Sequence, residues 1–204
     1  MKLLVATGNA GKFEEFAHFF SGLHIEMKSL RDFPGFKEVG EPYQSFAENA
    51  RHKAVNAFRQ TGWTALADDS GLEVESLRGA PGVFSARYAG ENAGDEENNS
   101  KLLKALEKVA PEKRSARFRC VLALAVSENN LRVVEGRAEG VILSEPRGAK
   151  GFGYDPLFYY TELGKTFAEM DPEEKLSVSH RGDALRKMRE IFKELMAKAG
   201  PDRS

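Results

Sequence analysis

The feature that most limits the fold is a long hairpin pattern in the second half of the chain. Residues 117–127 are apolar and strand-like, residues 128–130 (Glu-Asn-Asn) are typical of a hairpin turn, and residues 131–143 return as a second strand. Earlier in the chain, strand-like runs at 2–6 and 64–67 alternate with segments of helical periodicity. Interleaved strands and helices that include an antiparallel hairpin indicate an α/β protein with a mixed β-sheet flanked by helices.

Helical spacing of apolar side chains predicts where the helices lie. Four phenylalanines between residues 13 and 20 recur at the spacing of one helix face, and Ser45 with Glu48 matches a capping box that would begin a second helix. The predicted helices cover residues 13–20, 45 to about 60, and 95 to about 109, with a last one from Ser179 or Arg181 to a stop at Gly200-Pro201; further strands are expected at 72–77 and 157–160.

The composition excludes several functional classes. Of the 204 residues, 41% are hydrophobic and 30% are charged, and the net charge of −1 gives no overall field that attracts a nucleic-acid polymer. The single cysteine, Cys120, cannot form an intramolecular disulfide, and no apolar run reaches the ~18 residues needed to span a bilayer. We expect a cytoplasmic protein without membrane or nucleic-acid partners, with one domain at 1–199 and a short tail at 200–204.

The segment with the clearest chemistry is Ala67-Asp68-Asp69-Ser70-Gly71. Its pattern predicts an apolar strand that delivers two carboxylates and a hydroxyl to a glycine turn. Burying these charges requires compensation, and hard oxygen ligands of this kind suit Mg²⁺. The alternative is an ordinary polar β-turn, because Asp, Ser and Gly are common turn residues.

Two segments nearer the N-terminus add groups that suit a phosphate and a metal. Residues 6–12, Ala-Thr-Gly-Asn-Ala-Gly-Lys, lie between a strand and a helix, where backbone amides, the helix N-terminus and Lys12 favour an anion. The segment fails the P-loop pattern, and a tight strand–helix connection is the alternative. Glu41 lies in a loop from which it can reach a metal, or it is a solvated loop charge.

Two later segments add an aromatic face and hydrogen-bond donors. Residues 151–156, Gly-Phe-Gly-Tyr-Asp-Pro, offer a ring on which a nucleobase can stack, or a loop whose aromatics pack into the core. Lys175 and residues 179–183, Ser-His-Arg-Gly-Asp, offer donors for a carbonyl oxygen or a phosphate. A helix cap at Ser179, with solvated charges beside it, is the alternative. Together, these segments suit a magnesium nucleotide.

Six segments of the chain closely resemble the inosine/xanthosine triphosphate pyrophosphatase family. They occur in the family's order between residues 7 and 182, which makes the combination specific although each segment is weak alone. The matching segments are residues 7–12, residues 46–50 with Lys53, residues 67–72, residues 79–88, residues 152–156 and residues 179–182.

The resemblance implies a fold and a reaction. The fold would be an elongated mixed sheet flanked by helices in two lobes, with a nucleotide cleft between them, and members are usually homodimers. The reaction would be Mg²⁺-dependent hydrolysis of non-canonical purine triphosphates (ITP, dITP and XTP) to the monophosphate and pyrophosphate. Water would attack the α-phosphorus, and the reaction would cleanse the nucleotide pool of these compounds.

The resemblance also assigns roles by position. Asp69 would be the general base and a metal ligand, with Glu41 as second ligand, and Ser70 would contact the substrate. Phe152 would stack on the base. The remaining expected contacts are Thr7, Gly8, Asn9, Ala10, Gly11, Lys12 and Lys53 for the phosphates, and Gly153, Tyr154, Asp155, Lys175, His180 and Arg181 for the base.

Two positions depart from the family pattern. Tyr43 stands where a glycine is frequent before the second helix, which bears on how Glu41 is presented, and Tyr154 stands where some members have tryptophan. Two other functions fit the same segments. One is a nucleotide-binding regulator without turnover, and the other is a pyrophosphatase for modified pyrimidine nucleotides.

Overall fold

A computed structural model describes residues 1–23 and 25–199, with only the backbone of residues 198 and 199. Within these ranges the chain forms seven strands and five α-helices. The strands are β1 (Lys2–Val5), β2 (Glu26–Ser29), β3 (Thr64–Val74), β4 (Ser115–Ser127), β5 (Asn130–Ile142), β6 (Phe158–Tyr160) and β7 (Lys165–Thr166). The helices are α1 (Ala10–Phe20), α2 (Phe46–Thr61), α3 (Asp95–Ala105), α4 (Pro172–Val178) and α5 (His180–Ala199).

All seven strands belong to one mixed sheet, which confirms the predicted fold class. The strand order is β2-β1-β3-β4-β5-β6-β7. Strand β1 pairs in parallel with both β2 and β3, whereas β6 pairs antiparallel with both β5 and β7. The register places Val5 opposite Leu66, so the loop that follows β1 lies beside the part of β3 that carries the two aspartates.

The chain divides into two compact units. The first contains Met1–Asp69, Val121–Gly136 and the described part of Asp183–Ser204, and the second contains Ser70–Cys120 and Arg137–Gly182. In the first unit, the buried rings of Phe20 and Phe192 meet edge to face with their centroids 5.1 Å apart. In the second unit, the core is a continuous apolar cluster: Leu72, Val74, Leu102, Leu106, Ala116, Phe118, Ala138, Ile142, Tyr154, Leu157, Phe158, Phe167 and Met170.

Strand β3 differs most from the sequence-based expectation. The sequence predicts a strand at 64–67, a glycine turn and a second strand at 72–77, but β3 runs without interruption from Thr64 to Val74. Asp68 and Asp69 therefore lie within a strand and are buried, with only 2% and 4% of their surfaces exposed. The turn interpretation is wrong because this segment continues β3, which has β4 as a neighbour in the sheet, beyond the register with β1 that runs to Leu66.

Smaller differences concern helix ends. Helix α1 begins at Ala10 rather than Phe13, because Asn9 caps it: the Asn9 side chain accepts a hydrogen bond from the Lys12 backbone N–H at 3.0 Å. Ser45 precedes α2 as predicted, but its side chain makes no capping hydrogen bond. Helix α3 ends at Ala105, and the short elements β2, α4 and β7 have no clear signal in the sequence. The predicted stop at Gly200-Pro201 and the tail at 200–204 lie outside the described residues.

In the part of the chain that the structure describes, no helix is long and apolar enough to cross a membrane.

Candidate functional site

Each aspartate of β3 is compensated by a lysine from a different helix. The Lys12 ammonium, in the first turn of α1, lies 2.7 Å from Asp68 Oδ2. The Lys53 ammonium, on α2, lies 3.2 Å from Asp69 Oδ1. Adjacent strand residues direct their side chains to opposite faces of a sheet. The two carboxylates therefore differ in surroundings, and Asp68 is tied to the lysine of the expected phosphate loop.

The loop at residues 6–12 is held by its own side chains. The Thr7 hydroxyl accepts a hydrogen bond from the Asn9 N–H at 3.2 Å, and Asn9 caps α1. Ala10, Gly11 and Lys12 consequently form the first helical turn, where backbone N–H groups lack partners within the helix. The structure thus brings Thr7–Lys12 together as one helix N-terminus with Lys12 on it, an arrangement that suits an anion.

Asp69 lies in a network with three other polar side chains of the first unit. Asp69 Oδ2 accepts a hydrogen bond from Asn49 Nδ2 at 3.1 Å, while Asp69 Oδ1 pairs with Lys53. The same Lys53 ammonium lies 2.9 Å from Glu41 Oε1. Both carboxylates predicted as metal ligands therefore converge on one positively charged group.

The pKa values of this network reflect burial and charge. Burial raises the pKa of Asp69 to about 6, and the negative charge of Glu41 acts in the same direction, whereas Lys53 and Asn49 oppose the increase. Burial alone favours the neutral form of Lys53, but the negative charges of Asp69, Asp68 and Glu41 outweigh it and raise the pKa of that lysine. Lys53 is consequently a firmly charged cation between the two carboxylates.

The donor chemistry of Glu41 and Asp69 fits a hard divalent cation. Within residues 1–23 and 25–199, no group of three or more His, Cys, Asp or Glu residues is arranged to hold a metal ion. Two carboxylates that already share one cationic neighbour can still share a metal, and Mg²⁺ commonly takes one or two protein carboxylates with waters and substrate phosphates as its other ligands.

In the second unit, one buried carboxylate shapes the loop around Phe152. Asp155 Oδ2 accepts a hydrogen bond from the Phe152 N–H at 2.9 Å and lies 2.6 Å from the Lys175 ammonium. Gly151 has φ +75°, and a Cβ placed there would collide with Asp155 Oδ2. Glycine is therefore required at 151, both for the backbone conformation and for the close approach of this carboxylate.

Two cations lie over the ring of Phe152. The Lys175 ammonium is 4.6 Å and the Arg181 guanidinium 5.6 Å from the ring centroid. Arg181 is 1% exposed and Lys175 7% exposed. Arg181 Nη2 also donates to the Ser70 hydroxyl at 3.4 Å. The structure thus brings Phe152, Lys175, Arg181 and Ser70 together, and their contact with a substrate stays a prediction.

Both His180 and Tyr154 lie against the core; for Tyr154 this agrees with the alternative of a loop whose aromatics pack into the core, and for His180 the sequence contains no such indication. The His180 imidazole stacks on Phe118, with centroids 4.6 Å apart and an angle of 11° between the rings, and is 4% exposed. The Tyr154 ring lies in the apolar cluster, its hydroxyl donates to the Ser85 carbonyl at 2.9 Å, and burial raises its pKa. Both residues are anchored in the core beside the loop, and their contact with a base stays a prediction.

Three residues of these networks received no functional role from the sequence, although Asn49 lies in the matching segment 46–50. Asn49 binds Asp69, and it precedes Lys53 by four residues, a spacing that places both on one helix face. That spacing is a sequence signal from which a shared site for Asn49 and Lys53 could have been predicted. At the start of α3, Asp95 accepts from the Gly153 N–H at 2.6 Å and Asn99 donates to the Gly153 carbonyl at 2.9 Å. Nothing in the sequence links α3 to this loop, because the partners are 58 and 54 residues apart.

Comparisons with known proteins agree on one family. The family model described as the Ham1 family matches residues 3–191. A relative from Desulforamulus reducens named dITP/XTP pyrophosphatase is 53% identical over 195 residues, which is 96% of this chain and 97% of the relative. A relative of the same name from Geobacter sulfurreducens is 54% identical over 184 residues, which is 90% of this chain and 92% of the relative.

Solved structures agree with the sequence relatives. The structure of a HAM1 protein from Coxiella burnetii superposes with a TM-score of 0.88 at 44% identity, and the alignment covers 95% of this chain and 99% of that one. The Staphylococcus aureus Ham1 protein gives a TM-score of 0.85 at 36% identity with the same coverage of both chains.

Proposed function

The chain belongs to the Ham1 family, and from that premise we propose that it hydrolyses non-canonical purine nucleoside triphosphates to the monophosphate and pyrophosphate. The relatives named dITP/XTP pyrophosphatase align over nearly their whole length at about half identity, which supports dITP and XTP as substrates, with ITP as the ribose counterpart of dITP. The reaction breaks an anhydride bond of the triphosphate, so the protein is a hydrolase.

The single observation that carries the mechanism is the convergence of Glu41 and Asp69 on one positive charge. We assign these carboxylates as the residues that hold Mg²⁺, which when bound neutralises the charge of the triphosphate. Lys12 and the N-terminus of α1 bind phosphate oxygens. To do so, the Lys12 ammonium exchanges its contact with Asp68 for a phosphate, so that one anionic partner replaces another.

Asp69 is proposed as the general base. It accepts a proton from the water that attacks the α-phosphorus, and the electron pair of the broken P–O bond leaves with pyrophosphate. Its two carboxylate oxygens already have separate partners, Asn49 and Lys53, in the structure. That separation supports a division of labour in which one oxygen receives the proton and the other faces the cation.

The residues around Phe152 are proposed to select the base. A purine stacks on the Phe152 ring, a contact worth roughly 1–3 kcal/mol in single-strand binders. Lys175, His180 and Arg181 are donors, and hypoxanthine and xanthine present a 6-oxo acceptor to such groups. Adenine carries a 6-amino group at this position, which is a donor. Bound adenine would therefore place its donor against the donors of the protein, and these buried donors would lack an acceptor. Gly153, Tyr154 and Asp155 form the wall of the loop.

Product analysis tests this proposal. Purified protein with Mg²⁺ is supplied with ITP, dITP, XTP, GTP, ATP and modified dUTP and dTTP analogues, and pyrophosphate and phosphate are measured separately. We expect pyrophosphate and monophosphate from ITP, dITP and XTP, and far less from ATP. Release of single phosphates, turnover restricted to the pyrimidine analogues, or no product from any nucleotide would each contradict the proposal.

A homodimer and a cytoplasmic location are also proposed, supported by the family resemblance. Light scattering after size exclusion tests the first: a mass near twice 22.6 kDa is expected, and a monomer would contradict it.

A further inference from the structure

Asn49 is a fully buried amide whose every hydrogen-bonding group is used. It is 0% exposed. Its Oδ1 accepts from the Tyr43 N–H at 3.0 Å, and its Nδ2 donates to the Tyr43 carbonyl at 3.1 Å. The second hydrogen of Nδ2 goes to Asp69 Oδ2 at 3.1 Å. The opposite amide orientation would place two oxygens against each other at Asp69, so the chemistry of the site fixes this one.

Asn49 therefore joins two parts of the first unit that must act together. Its bidentate contact with Tyr43 fixes the loop two residues after Glu41, and its third hydrogen bond fixes one oxygen of Asp69. Lys53, one turn further along the same face of α2, holds the other oxygen of Asp69 and reaches Glu41 as well. One helix face thus sets the positions of both carboxylates.

We propose that Asn49 is a positioning residue that sets the mutual geometry of Glu41 and Asp69, so that it controls turnover without contacting the substrate. This inference rests on the proposed function for its effect on catalysis. Groups that orient metal-binding side chains typically change metal affinity or activity by roughly 10–100-fold when removed. At saturating metal the effect falls on kcat, because Lys12, the N-terminus of α1 and Phe152, the groups proposed to bind the phosphates and the base, are not the groups that Asn49 binds.

The arrangement also explains why a tyrosine can stand at position 43, where a glycine is frequent in the family pattern. Asn49 contacts only the backbone N–H and carbonyl of this residue, and the Tyr43 side chain is 40% exposed and packs edge to face on His52. The backbone of Tyr43 is not in the left-handed region. A glycine is therefore not needed here for Glu41 to be presented, and any residue that keeps its backbone N–H meets the requirement.

Three variants test the proposal. Asn49→Ala removes all three hydrogen bonds. Asn49→Asp is isosteric and keeps the acceptor for the Tyr43 N–H, but it replaces the donor to both Asp69 and the Tyr43 carbonyl with an oxygen. Asn56→Ala is the matched control, because Asn56 is an asparagine of the same helix whose amide donates to the Lys37 carbonyl, outside this network.

Two measurements separate positioning from simple stability. Hydrogen exchange of the Tyr43 amide, followed without metal, reports the loop contact. We expect the fastest exchange in Asn49→Ala, a smaller increase in Asn49→Asp, which keeps only the acceptor for the Tyr43 N–H, and wild-type exchange in Asn56→Ala. Steady-state kinetics with dITP, corrected for the folded fraction, should show kcat lower by roughly 10–100-fold in both Asn49 variants, with KM changed by less than about threefold. Mn²⁺ binding to Asn49→Ala, measured by electron paramagnetic resonance, should weaken in parallel.

The outcomes are distinguishable. If wild-type protein releases no pyrophosphate, the proposed function fails, while the exchange result still decides whether Asn49 holds the loop. If the wild type is active and both Asn49 variants match its kcat per folded molecule, the positioning role is overturned. Unchanged Tyr43 exchange in Asn49→Ala overturns the loop contact. Should Asn49→Ala fail to fold, the isosteric Asn49→Asp carries the kinetic test alone.

Discussion

The acidic segment of β3 and the Phe152 loop each contain a buried carboxylate, and its negative charge is compensated differently in the two places. Asp69 is compensated by side chains: Lys53 and Asn49 reach it from α2. Asp155 is compensated partly by backbone, because it accepts from the Phe152 N–H as well as from Lys175. Because side chains can change partners, the first arrangement is compatible with the exchange that we propose on binding of a cation or a phosphate. The second fixes the shape of its own loop, so it suits a stacking surface that must be preformed.

The comparison predicts that charge matters most in the first region. Asp69→Asn keeps the volume of the side chain but removes its charge and its basicity. We expect the variant to fold and to bind dITP, and its kcat to fall by roughly 10²–10⁴-fold, the usual contribution of a general base. Asp32→Asn, an exposed aspartate in the same unit, is the control and should turn over normally. Turnover of Asp69→Asn near the wild-type rate would remove Asp69 from the mechanism.

In the second region, the side chain that matters most should be the ring itself. Phe152→Ala removes the stacking surface, and a loss of roughly 1–3 kcal/mol corresponds to a KM increase of about 5- to 150-fold. The kcat should change less. Phe84→Ala, a 44% exposed phenylalanine of the same unit, controls for loss of a surface ring. An unchanged KM in Phe152→Ala would argue against base stacking.

Backbone shape should matter next in the second region. In Gly151→Ala, the new Cβ would meet Asp155 Oδ2, so the carboxylate must leave the Phe152 N–H. We expect KM for dITP to rise roughly tenfold, within the range for loss of base stacking.

Gly62→Ala separates this clash from backbone strain. Gly62 also has a positive φ, +68°, but no heavy atom lies within 4 Å of the position that a Cβ would take there. We expect a stability loss of about 1–2 kcal/mol by thermal unfolding and an unchanged KM. A KM for Gly151→Ala as low as that of Gly62→Ala would show that the contact with Asp155 does not control binding of dITP.

The smallest effect is expected at Tyr43. Tyr43→Gly keeps the backbone groups that Asn49 binds, so kcat should stay within about twofold of wild type. Tyr43→Pro removes the N–H from which Asn49 Oδ1 accepts a hydrogen bond, and it should lower kcat several-fold more than the glycine variant. The same kcat in both variants would show that this hydrogen bond does not support catalysis.

The sequence predicted local structure well where one periodicity governed a segment. The hairpin of β4 and β5 and the helix α2 lie within a few residues of their predicted bounds, because alternating or helical burial of apolar side chains decides such elements. The turn expected at the acidic segment is absent from β3, although Asp, Ser and Gly have turn propensity. The position of this segment within a long strand of the sheet overrides that local preference.

The candidate site was predictable only in part. Side chains on one short segment, such as Thr7–Lys12, could be grouped from the sequence alone. Contacts between distant segments could not, and this explains why Asp95 and Asn99 at the Gly153 loop were missed. The role of Asn49 could not be predicted for another reason. The capping-box pattern of Ser45 and Glu48 explains this segment as a helix start, but it gives no sign that Asn49, in the same turn, binds the backbone of the preceding loop.

The central claim, that water attacks the α-phosphorus, is tested most directly by hydrolysing dITP in ¹⁸O-labelled water and analysing both products by mass spectrometry. Attack at the α-phosphorus forms the new P–O bond in the monophosphate, so we expect one ¹⁸O atom in dIMP and none in pyrophosphate. Label found in pyrophosphate, with unlabelled dIMP, would mean that water attacks the β-phosphorus and would contradict the account.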